Sequence, residues 1–138
     1  MRPVYFLLIL TYIAYLISFF LPAYTLSLSI YSNTTTNIMK GWECAITSFA
    51  FVFDKKFILI IIAVLPNLFM ILSFFIYKKL GLALLVFILM YNLISCSTWC
   101  FLGLFNGRIS DLLVGYWLWC LSIVANSFIL VLIKRIQY

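Results

Sequence analysis

Residues Leu112–Ile133 read LLVGYWLWCLSIVANSFILVLI, without one Asp, Glu, Lys or Arg. A helix of about 20 apolar residues crosses the hydrocarbon of a bilayer, and this run is that long. Three more runs, Pro3–Leu21, Phe57–Tyr77 and Leu80–Leu104, are equally free of charge and comparable in length. The sequence therefore predicts an all-α membrane protein. Its expected fold is a four transmembrane helix bundle over about 3–21, 57–77, 80–104 and 112–133. A small extracytoplasmic hairpin and interfacial helix, at 23–56, would lie between the first and second helices.

Composition agrees. Of 138 residues, 67% are hydrophobic and 9% charged, against about 25% charged in soluble domains. Mean hydropathy is +1.24. The length leaves room for a single membrane domain. A net charge of +6 suggests nucleic acid in a soluble protein. Here the cations flank apolar runs, which points to topology and anionic headgroups instead. Membrane lipids are expected partners and nucleic acid is not. The first run is longer than the apolar core of a signal peptide, and no small-residue cleavage site follows it. It reads as a retained helix.

Lys and Arg mark cytoplasmic loops. With the N-terminus inside, Arg2, Lys78, Lys79, Lys134 and Arg135 fall on the inner side, and Lys40, Lys55, Lys56 and Arg108 on the outer side. The tight Lys78-Lys79 connection and the Lys134-Arg135 stop favour both termini inside. Trp42, Trp99, Trp117 and Trp119 then gather on the outer half, as an interfacial belt does.

Local signals complete the expected architecture. Pro22 ends the first helix, since proline supplies no amide hydrogen. Thr25–Ile30 alternates polar and apolar residues as a strand does, and Asn33–Asn37 reads as a turn. Trp42, Ile46, Phe49 and Phe53 recur at helical spacing in a run too short to span. Pro66, near the middle of the second run, predicts a kink. Asn106-Gly107 reads as a turn, and Ser110 or Asp111 as the N-cap of the last helix.

The polar residues inside the runs are spaced regularly. Thr11, Tyr15, Ser18 and Pro22 share one face of the first helix. Asn92, Cys96, Trp99 and Gly103 share one on the third, and Gly115, Trp119, Ser122 and Asn126 one on the fourth. Polar and small residues in membrane helices face protein, so these faces are expected inside. Asn67, Asn92 and Asn126 are candidates for lining a polar cavity or route. The plainer reading is hydrogen bonding between helices. Proton and ion carriers commonly keep an acidic, basic or His residue in the membrane, and these runs contain none.

Cys44, Cys96, Cys100 and Cys120 make a poor metal site without histidine or converging carboxylates, so no metal or cofactor is expected. An oxidising exterior would allow a disulfide from Cys44 to Cys100 or Cys120. Thiol oxidases usually present a C-x-x-C pair, whereas Cys96 and Cys100 are C-x-x-x-C, so redox catalysis is disfavoured.

Gly41-Trp42-Glu43, Leu65-Pro66-Asn67-Leu68, Gly115–Ser122 and Leu21-Pro22-Ala23 together resemble small uncharacterised four-helix integral membrane proteins of bacteria. The resemblance spans nearly the whole chain through short, largely aromatic motifs. It implies the fold and a bacterial inner-membrane location, and brings no activity. Claudin-like tetraspans share Gly-Trp-x-Cys at 41–44, but their second loop cysteine and earlier loop tryptophan are missing.

The leading expectation is a non-enzymatic accessory subunit or immunity-type protein that binds another membrane protein, or itself as a homo-oligomer. Trp42, Glu43, Trp99 and Trp117 are its candidate binding residues, because aromatic residues beside a charge are common anchors. The alternative is a small oligomeric transporter or channel for a small molecule or lipid.

Overall fold

A computed structural model describes residues 2–30, 33–44, 46, 64–105 and 109–137. Within these, the side chains at 2–3, 26–36, 74, 99–105 and 109–111 fall outside the description. The elements run α1 (Arg2–Ser18), β1 (Pro22–Ile30), β2 (Asn33–Lys40), α2 (Leu65–Ile76), α3 (Leu82–Phe105), β3 (Ile109–Leu112) and α4 (Val114–Ile136). Chain 41–44 is helical. The chain is mostly helical. Among the described residues, Val114–Ile136 is the one helix long and apolar enough to cross a membrane, while Val4–Ser18 and Leu82–Thr98 are shorter apolar helices.

α1 stops three residues short of the expected Leu21. Phe19 and Phe20 close tight turns onto the carbonyls of Leu16 and Ile17. Pro22 then starts β1, as its missing amide and its restriction of the preceding residue require. The strand expected from the alternation at 25–30 is present. The expected turn at Asn33–Asn37 is not. Those five residues belong to β2, with Asn33 opposite Ile30 and Asn37 opposite Leu26. The three β-branched threonines favour a pleated strand over a turn.

The sheet has three strands in the order β2-β1-β3, one more than a hairpin. β3 pairs antiparallel with β1, Tyr24 opposite Leu112 and Thr25 opposite Asp111. Ser110 and Asp111 therefore do not cap the last helix. Extended Leu113 is its N-cap, without a side-chain cap, and the Leu113 amide instead donates to the Ala23 carbonyl at 2.8 Å. Pairing with the open edge of β1 satisfies backbone groups that a capping loop would leave exposed.

The described part of the second run begins at Val64, and Pro66 is the second residue of α2. Val64 just before it is π-helical, the irregularity that accompanies proline in a helix. Residues 57–63, Phe49 and Phe53 lie outside the described residues, so the rest of the expected kink and of the interfacial helix is not addressed.

α4 is the hub. It packs on α1, α3, α2 and β1, while α2 and α3 pack more on α4 than on each other. Three apolar tiers stack along it. Leu8, Leu85, Ile129, Leu130 and Ile133 form one end, Tyr15, Met70 and Ile123 the middle, and Ala23, Tyr24, Cys96, Tyr116 and Cys120 the sheet end. Val4 and Tyr5 pack into the first tier beside Ile133, so the chain's two ends meet. Lys134 donates to the Lys78 carbonyl at that same end.

Small polar residues share the interior with these tiers, and large apolar residues lie outside. Thr11, Ser18, Ser73, Asn92, Ser95, Ser122, Asn126 and Ser127 are buried. Phe6, Leu16, Phe75, Phe87, Ile94 and Leu121 are each at least 60% exposed.

Candidate functional site

Among the described residues, three hydrogen-bonded groups of interior polar side chains join helices distant in sequence. In the first, Asn126 of α4 donates from Nδ2 to Thr11 Oγ1 of α1 (3.2 Å), while its Oδ1 lies 3.3 Å from Ser73 Oγ of α2. Thr11 donates to the Leu8 carbonyl, and Ser73 also lies 2.8 Å from the Met70 carbonyl. The single Ser73 proton thus has two acceptors, and the Tyr12 hydroxyl 2.9 Å away can supply another proton.

In the second group, Asn67 Oδ1 accepts from the Tyr15 hydroxyl at 2.7 Å and from Trp119 Nε1 at 2.8 Å. One amide oxygen thereby ties α2 to α1 and α4. Tyr15 and Phe19 stack edge to face alongside.

In the third, Asn92 of α3 donates from Nδ2 to Ser127 Oγ of α4 at 2.8 Å. Ser127 commits its own proton to the Ile123 carbonyl, so it accepts from Asn92 and fixes which way that amide points. Asn92 is 1% exposed, and among the described residues its Oδ1 has no hydrogen-bond partner.

Asn92 and Asn126, with Ser73 and Ser127, line one cleft between α2, α3 and α4. Asn67 is not on that cleft; Tyr15 and Trp119 hold its oxygen elsewhere. The three asparagines expected around one cavity therefore serve two sites. Sequence spacing missed Tyr12 and Ser127. Each sits one position beyond a residue of the recognised face (Thr11 and Asn126), so a strict one-face count passes over it.

The sheet end holds the sulfur atoms. Cys96 and Cys120 face each other across α3 and α4 in side-chain contact, and Cys44 packs against the same tier. All three are free thiols, so no disulfide joins Cys44 to Cys120; the Cys100 side chain lies outside the description. Burial pushes the Cys44 thiol up to about 11, and neighbouring Glu43 adds to the rise. Among the described residues, no group of three or more His, Cys, Asp or Glu could hold a metal ion.

At this end the backbone is pinched at two glycines. A Cβ on Gly115 would lie 2.7 Å from the Pro22 carbonyl oxygen and 2.8 Å from that of Leu21. A Cβ on Gly41 would collide with the Ser18 carbonyl oxygen. The Gly41 and Trp42 amides donate to Leu21 and Phe19. Three of the short motifs noted in the sequence, those containing Gly41, Pro22 and Gly115, thus converge on one backbone crossing. The fourth joins through Asn67 and Trp119.

Beside that crossing emerge aromatic residues that the sequence reading expected on the outer side. Trp42 is 45% and Trp117 51% exposed, and Ile38, Ile46 and Val114 are more exposed still. Glu43 Oε2 accepts from the Lys40 amide at 2.7 Å, which ties the carboxylate to the helical turn that follows β2. Trp99 lies on α3 with its side chain outside the description. Compared with known protein families, curated proteins and solved structures, the chain matches none of them.

Proposed function

We propose that the chain is a four-helix bundle of the bacterial inner membrane with both termini cytoplasmic, and that it acts as a non-enzymatic accessory subunit or immunity-type protein for another membrane protein. Lipid is the solvent that suits this surface. Apolar side chains cover the outer faces of the helices and polar ones are turned inward, the arrangement membrane helices adopt. Water would penalise so much contiguous exposed apolar area. The packing of Val4 and Tyr5 beside Ile133, with Lys78 and Lys134 in contact nearby, supports a common side for the termini. That end carries cations, as cytoplasmic ends do.

The observation that carries the functional reading is the mutual engagement of most interior polar groups. Thr11, Tyr12, Tyr15, Asn67, Ser73, Trp119 and Asn126 engage one another, and no ionisable Asp, Glu, Lys or Arg stands among them. Such groups rigidify a bundle. A partner surface is offered by the rim of Trp42 and Trp117 at the sheet end, amphipathic anchors of the kind enriched at binding sites. Photo-crosslinking from position 117 in the native host, followed by mild-detergent purification, is expected to capture a stoichiometric membrane-protein partner. A clean lone species would refute the reading.

The unpaired Oδ1 of Asn92 favours a second reading, a small oligomeric transporter or channel for a small molecule or lipid. Liposome flux that disappears with Asn92→Leu is its signature.

A further inference from the structure

The cleft between α2, α3 and α4 has a polar floor of Ser73, Asn92, Asn126 and Ser127 and apolar walls that include half-buried Phe69, Ile76 and Leu80. Its cavity of ≈ 10 Å³ admits about one water-sized atom. On that floor Ser127 donates to the Ile123 carbonyl, Asn126 Nδ2 to Thr11 and Asn92 Nδ2 to Ser127, and each amide keeps one further N–H. One acceptor, Asn92 Oδ1, is left without a partner. A buried unpaired carbonyl of this kind costs about 1–3 kcal/mol, so whatever supplies a proton there is held. Among the described residues no charged side chain lines the cleft, which disfavours an ionic ligand.

We propose that this cleft binds the hydroxyl end of a neutral, alcohol-headed amphiphile, with Asn92 Oδ1 accepting its proton. A single orphan acceptor matches a group with a single donor. The apolar walls suit the alkyl carbons next to the hydroxyl. The site is independent of the partner surface at Trp42 and Trp117, so each reading stands or falls alone.

The test uses the purified full-length protein in detergent, titrated with dodecan-1-ol and with methyl dodecyl ether and read by native mass spectrometry. The ether keeps an oxygen and an alkyl chain but has no proton to give. One hydrogen bond predicts that the alcohol binds about fivefold tighter. Asn92→Leu is expected to erase that preference while leaving weak binding of both. Ile76→Trp, which narrows an apolar wall and spares the acceptor, is expected to weaken both ligands together, so the proposal stays testable should the Asn92 variant not fold. Equal affinities for alcohol and ether in the wild type would overturn it. So would a preference that survives Asn92→Leu, or binding of neither probe, which would assign the cavity to water.

Discussion

Asn67→Leu is expected to destabilise the protein more than Asn126→Leu, although Asn126 is buried and Asn67 only half-buried. The difference lies in what each substitution strands. Losing Asn126 costs Thr11 and Ser73 one partner each, but both hydroxyls retain a carbonyl of their own helix, Leu8 and Met70. Two ordinary interhelical bonds are lost, at about 0.6 kcal/mol each, or about 1 kcal/mol together. Losing Asn67 removes the acceptor shared by the Tyr15 hydroxyl and Trp119 Nε1. An indole nitrogen is only a donor and cannot turn to another role. Each stranded donor costs about 1–3 kcal/mol; partial exposure of the site keeps the total near the low end, about 2–4 kcal/mol. Reversible unfolding in mixed micelles, followed by tryptophan fluorescence, measures both variants on one scale. A cost for Asn126→Leu equal to or above that for Asn67→Leu would refute the idea that stranded donors, rather than burial, set the energetics of this interior.

Gly115→Ala is expected to cost about 1–2 kcal/mol, since a methyl at 2.7 Å and 2.8 Å from two backbone oxygens forces α4 from β1, which outweighs alanine's helix preference. Gly81→Ala, with nothing near its Cβ, is the control, and equal unfolding midpoints for the two would count against the crossing. In a variant retaining only Cys44, maleimide labelling at pH 8 is expected to run about 100-fold slower than for an ordinary cysteine, because burial lifts this thiol from 9.0 to about 11. The same shift adds stability that is present below pH 9 and lost as pH rises through 11, measurable as a falling unfolding midpoint.

Much of the helical part of the fold is written in hydropathy. The uncharged runs at 80–104 and 112–133 match α3 and α4 to within a few residues, because a helix needs only local bonds and an apolar surface. The interior faces were also legible: Thr11, Tyr15 and Ser18 on α1, and Gly115, Ser122 and Asn126 on α4, follow the helical repeat and are buried. The strand β3 was not legible. Ile109–Leu112 is four residues long, and its Ser-Asp pair looks like a helix cap until β1 is brought alongside by the tertiary fold. The Thr-rich stretch 34–36 was similarly ambiguous, since its threonines suit an exposed strand and its flanking asparagines suit a turn.

The candidate site divides the same way. Which residues are polar, and which helix face carries them, followed from spacing alone. Which residue meets which did not. Asn67 pairs with Tyr15 and Trp119, each 52 positions away, and Asn126 with Thr11 at 115, separations at which no periodicity carries information. By itself, the sequence determined the helical class, the apolar exterior and the side of each helix that turns inward, because these depend on one segment and its solvent. Only the tertiary structure decided that Asn92 ends with an unpaired oxygen while Asn67 and Asn126 do not, because hydrogen-bond satisfaction depends on the partners that packing brings within reach.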